Sequence, residues 1–67
     1  MARKLEVGDT VQCRYYNSVD KKFYGATFVA EIVKIQPEYE EIKYVVRRIW
    51  DGYIVALHRK ELIRRVE

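Results

Sequence analysis

Cysteine, proline, histidine and tryptophan each occur once in the 67 residues, and glycine three times. The single Cys13 excludes a disulfide framework within the chain. A small fold without disulfides fits a reducing compartment, so the chain is expected to work inside the cell. One His58 and one thiol give no zinc-ligand spacing, and no metal or other cofactor is expected. The glycines are scattered, which excludes a phosphate-cradling loop. Ser18 is the only serine and has no histidine near it in sequence. A nucleophilic triad is therefore unsupported, no catalytic residue is assigned, and the chain is not expected to be an enzyme. No apolar run approaches the roughly 20 residues that cross a bilayer, and Met1-Ala2-Arg3-Lys4 lacks the apolar stretch of a signal peptide. No membrane partner is expected.

What is present is apolar and β-forming. Hydrophobic residues make up 49% of the chain, enough for a globular domain, and Val, Ile and Tyr dominate among them. The length sets one domain, residues 1–67, with its core within about 5–65. A domain of this size buries only about 60% of the surface its unfolded chain exposes, so one compact core is all it can hold. The net charge of +3 is uneven: residues 1–42 carry six Lys/Arg against seven Asp/Glu, and residues 43–67 carry seven against three. The C-terminal excess suits an acidic partner, although a mixed solvated surface explains it equally well.

Apolar periodicity divides the chain into five strands. Residues 10–16 alternate, with Val11, Cys13 and Tyr15 on one face and Gln12, Arg14 and Tyr16 on the other. A polar hairpin loop follows at 17–22. Residues 23–35 form a long strand with apolar residues on both faces, which predicts a bulge or bend near Val29–Ala30. Pro37 is expected to end that strand, with a loop over 36–41. A third strand spans 42–49, and Asp51-Gly52 marks a tight turn into a fourth at 53–57. One helical turn at 58–62 precedes a short final strand at 63–66. The expected fold is all-β: a small five-stranded antiparallel barrel with one short helical turn before its last strand. Closing the sheet would also remove its exposed edges.

The sequence Val7-Gly8-Asp9-Thr10-Val11-Gln12-Cys13, then Tyr24-Gly25-Ala26, then Tyr44-Val45-Val46 before the Asp-Gly turn, then Glu61-Leu62-Ile63, resembles the Tudor domains and their chromo-barrel and Agenet relatives. The resemblance spans about residues 5–65 and implies an SH3-like barrel. Many SH3-like barrels also open with a Val-Gly-Asp strand. It implies a reader of methylated lysine or arginine on histone or other basic tails, working in the nucleus. The implied site is an aromatic cage with an acidic residue. A methylammonium keeps its charge but hydrogen-bonds poorly, and aromatic faces attract it by about 0.5–2 kcal/mol per contact. Tyr15 and Tyr24 stand where such domains place the first two cage aromatics. Further members are expected from Arg48-Ile49-Trp50-Asp51-Gly52-Tyr53, which nominates Trp50, Asp51 and Tyr53. The chain departs from the pattern at Arg48, where an aromatic usually stands, and a cation there would repel a cationic ligand.

Other roles compete for the same residues. Asp51 also serves as a turn residue, Tyr16 rivals Tyr15 for the inward position, and Asp20 and Glu31 are the lesser acidic candidates. Tyr44 and Cys13 are assigned to the core, and Tyr39 to a loop surface. The alternative function is nucleic-acid binding, with Arg47, Arg48, Arg59, Lys60, Arg64 and Arg65 on phosphates of DNA or RNA and Tyr16, Trp50 and Tyr53 stacking on bases. A third is a protein-interaction barrel without a cage, signalled by exposure of Val19, Phe23 or Ile49.

Overall fold

The computed structural model describes residues 4–38 and 41–66. Five strands carry the fold: β1 (Thr10–Asn17), β2 (Lys22–Glu38), β3 (Glu41–Arg48), β4 (Ile54–His58) and β5 (Leu62–Val66). One 3-10 turn, Arg59–Glu61, links the last two. All pairings are antiparallel, and the strands lie in the order β4-β3-β2-β1-β5. The expected all-β, five-stranded antiparallel fold with a helical turn before its last strand is thus present. Its expected closure is not. The outer strands β4 and β5 are not paired to each other among the described residues, and the sheet is open.

A single core nonetheless draws on every strand. Val11 and Cys13 come from β1, Ala30 and Ile32 from β2, Tyr44 and Val46 from β3, Leu57 from β4 and Leu62 from β5. One cluster fed by five strands requires the sheet to curl around it. Burying an aliphatic side chain of this kind stabilises the fold by about 1.5–3 kcal/mol. The alternation read in β1 holds: Val11 and Cys13 are buried, and Tyr15 packs against the same cluster. Burial pushes the Cys13 thiol up to about 11, with the Glu61 charge adding to it.

The irregularities of β2 lie on either side of Val29–Ala30, where one bend was expected. Against β1, Cys13 pairs with Phe28 but Tyr15 pairs with Tyr24, so residues 25–27 stand opposite Arg14 alone. Gly25 supplies the left-handed backbone there, with φ +74°, and Arg14 Nε donates to its carbonyl at 2.8 Å. Against β3, Ile32 pairs with Val46 and Lys34 with Val45, which leaves Val33 as an extra residue. A one-residue insertion exchanges the two faces of a strand. Ile35, grouped by simple alternation away from Ile32, accordingly packs against the same core.

Pro37 does not end β2. It pairs opposite Ile42, and the strand runs on to Glu38. The pairing of β2 with β1 ends at Glu31, and beyond Ile32 no backbone partner lies on that edge among the described residues, so a residue without an N–H is tolerated at Pro37. Tyr39 lies outside the described residues. Where the β1 pairing stops, the N-terminal segment takes over: Gly8 N–H donates to Ile32 O at 2.8 Å, and Ile32 N–H donates to Asp9 O at 2.9 Å.

The 3-10 turn is fixed by Glu61, the one buried charged residue among those described. Its carboxylate accepts the Tyr16 and His58 amides at 3.0 Å each, tying the β4–β5 connection to β1. No helix among the described residues is long and apolar enough to cross a membrane.

Candidate functional site: an aromatic box around Arg48

The β3–β4 connection is a compact hairpin. Arg48 N–H donates to Tyr53 O, and Gly52 N–H donates to Arg48 O, both at 2.8 Å. Gly52 holds φ +75°, a conformation that glycine adopts without penalty. The Asp51 carboxylate accepts the Tyr53 amide at 3.0 Å. Asp51 is therefore a turn residue, as its Asp-Gly context predicts, and it has a second role.

That role is to hold Arg48. Arg48 Nε donates to Asp51 Oδ1 at 3.1 Å and Nη2 donates to Oδ2 at 2.5 Å, the two-pronged geometry that suits a guanidinium to a carboxylate. The Asp51 carboxyl is held below its ordinary value, first by the Arg48 hydrogen bond and next by the Tyr53 amide. Arg48 is raised above its own ordinary value, first by the bond to Asp51.

The guanidinium lies among aromatic rings. Its central carbon is 4.8 Å from the Tyr53 ring centroid, 5.1 Å from that of Trp50 and 5.8 Å from that of Phe28. All three fall within the roughly 6 Å reach of a cation–π contact. Nη1 adds a long contact of 3.4 Å to the Tyr15 hydroxyl. Tyr15 meets two further rings: Phe28 lies 5.1 Å away on tilted planes, and Tyr24 stacks at 5.7 Å. Rings from β1, β2 and the β3–β4 turn are thus assembled by two register facts. Tyr15 pairs with Tyr24, and the two extra residues of the 25–27 bulge keep Phe28 on the same face while setting it opposite Cys13, the next residue of that face in β1.

Of the nominated cage residues, Tyr15, Trp50, Asp51 and Tyr53 each contact one cation. Tyr24 joins only through Tyr15. Both nominated aromatics of the turn, Trp50 and Tyr53, reach the cation. Sequence reasoning left out Phe28, whose signal was its place on the face shared with Tyr24 in β2. Arg48, expected from its position to repel a cation at the wall, is itself the cation that the rings surround. Tyr16 takes no part: its ring meets Phe23 edge-on at 5.1 Å and carries Lys60 Nζ at 4.5 Å.

The other basic residues are dispersed. Arg47 pairs with Glu31 at 2.7 Å, on β3 and β2. Arg64 donates to Gln12 Oε1 at 3.1 Å, on β5 and β1. Arg59 donates to Leu62 O at 2.8 Å, and Arg65 stands half-buried opposite Val11. Glu31 is thus engaged with Arg47, while Asp20 lies in the β1–β2 turn, where its amide donates to Asn17 Oδ1. Val19, Phe23 and Ile49 are exposed. A separate groove of about 850 Å³ runs past Phe23, Ile42, Tyr44 and Ile63, and no box residue lines it. No group of three or more potential metal ligands occurs among the described residues.

No family model, curated protein or solved structure matches this chain.

Proposed function

We propose that this domain is a binding module that reads a methylated cationic side chain, arginine or lysine, on a histone or other basic tail. The supporting observation is that Phe28, Trp50 and Tyr53 converge on a single positive charge, with a carboxylate beside it. Such a box recognises a cation that has lost hydrogen-bonding capacity to methylation, since the rings contribute about 0.5–2 kcal/mol each without needing an N–H. Trp50 is 74% exposed and Tyr53 55%, so the rings with most open surface are those that would meet an incoming chain.

Nucleic-acid binding is the weaker reading. A phosphate-tracking surface needs cations along one groove, and here Arg47 and Arg64 lie on β3 and β5, separated by two strands. The reading is tested by an NMR titration of the intact domain with basic peptides carrying dimethylarginine or trimethyllysine. The expected response is a set of shifts confined to Tyr15, Phe28 and residues 48–53, lost in Trp50→Ala. Shifts elsewhere only, or none with any methylated peptide, would remove the proposal.

A further inference from the structure

We infer that Arg48 is a displaceable internal occupant of the aromatic box, and that the side chain which replaces it is a methylated arginine. This rests on the reading of the box as a cation-recognition site and specifies its ligand and its control.

The orientation of Arg48 carries the ligand class. Nε and Nη2 form the edge that meets Asp51, and Nη1 is directed to the Tyr15 hydroxyl. A fork of two parallel N–H donors is a property of the planar guanidinium. An ammonium offers only a point charge, and a trimethylated one offers no donor at all. Methylation of one terminal nitrogen of an arginine leaves the opposite edge, Nε–H and the other terminal NH2, free for Asp51. The methylated nitrogen then takes the place of Nη1 beside Tyr15. It gives up only a 3.4 Å contact and places methyl groups in an aromatic wall.

Arg48 is placed to leave without disturbing the turn. Its backbone N–H and C=O are bonded within the hairpin, so the side chain can swing while Asp51 and Gly52 stay in position. The pair is only partly covered: the Arg48 side chain keeps 20% of its surface in contact with solvent, and that of Asp51 27%. One guanidinium exchanges for another, so Asp51 is compensated before and after.

The same arrangement sets a threshold. Arg48 is covalently tethered to its site, and a tethered group competes at an effective concentration in the millimolar range for short spans. An unmodified arginine from a basic tail brings the same contacts as Arg48 and no tether, so it loses. A methylated arginine brings additional ring contact and can win. The occupant therefore acts as a filter against unmodified basic chains, which is specificity obtained by penalising the wrong ligand.

The experiment follows Arg48 itself. The intact domain is titrated with one basic peptide in three forms, bearing asymmetric dimethylarginine, unmodified arginine or trimethyllysine, while the Arg48 Nε–H resonance is recorded. The dimethylarginine form is expected to bind best and to move that resonance to the position of a free guanidinium. Arg48→Ala is expected to bind it about tenfold tighter or more, because the vacant box is no longer a minor population, and to accept the unmodified peptide as well. Arg48→Gln repeats the comparison with a side chain that fills more of the space, and the Gly52 and Tyr53 amide shifts report whether the turn is intact in each variant. Binding with the Arg48 resonance unmoved, equal affinity in the wild type and both variants, or preference for trimethyllysine would overturn the inference and leave methyl-reading standing. Silence of all three proteins toward both methylated peptides would overturn the inference and the functional reading together.

Discussion

Arg48 and Asp51 stand three residues apart and meet edge to edge, two guanidinium N–H groups on two carboxylate oxygens. The same carboxylate accepts the Tyr53 amide, so one side chain shapes the turn and anchors the cation. Its pH dependence follows from the direction of the shifts. Asp51 is depressed, chiefly by its bond from Arg48, so the contribution of the clasp is present above the ordinary value of 3.8 and is lost as pH falls through the lower folded value. The Arg48 Nε–H signal is therefore expected to hold its position from neutral pH down to about 5 and to collapse only in stronger acid. A transition near neutrality would show that another group controls the clasp.

Cys13 should be chemically silent in the folded domain. It is fully buried, and its thiol is pushed up to about 11, so almost no thiolate exists at pH 8. Alkylation by iodoacetamide is expected to be slow in buffer and fast in denaturant. Because the folded value lies above the ordinary value of 9.0, this group's contribution to stability is intact below about 9 and declines as pH rises toward 11. Rapid alkylation of the native protein would mean that the core opens around β1.

Removing the Glu61 carboxylate should be expensive. Glu61→Ala leaves the Tyr16 and His58 amides without their acceptor, and hydrogen bonds to charged groups are worth about 1.5–3 kcal/mol each. A loss of about 2–4 kcal/mol in urea unfolding is expected, allowing for partial rescue by water. A loss below 0.5 kcal/mol would mean that solvent already serves these amides.

Gly52→Ala isolates the cost of the backbone. A Cβ at Gly52 meets no atom within 4 Å, so sterics with the rest of the fold contribute nothing. The left-handed conformation alone should destabilise the variant by about 1 kcal/mol. A larger loss, measured by thermal unfolding, would place an additional constraint on the turn.

Much of the fold was legible because its signals are local. The β1 alternation of Val11, Cys13 and Tyr15 needs only a period of two, and Asp51-Gly52 fixes a turn wherever it falls. The bulges were not legible in place. Whether Val33 is an extra residue depends on how β2 meets β3, and whether residues 25–27 loop past Arg14 depends on β1. Pro37 misled for a related reason, since its tolerance reflects a neighbour that has already ended. At the site, residue types were readable and directions were not. Trp50, Asp51 and Tyr53 announce a polar aromatic turn. Nothing in their order says that Arg48 points inward, because that follows from the two backbone bonds that close the hairpin and from the Asp51 fork.

The bond from the Tyr16 amide to Glu61 spans 45 residues of a 67-residue chain. The strand order has a similar reach, with the last strand lying beside the first. Neither contact can form until most of the polypeptide has been brought together. Folding should accordingly be slow for so small a domain, on the milliseconds-to-seconds scale of β topologies rich in distant pairings. Until β5 docks, the outer edge of β1 is open to any other extended chain.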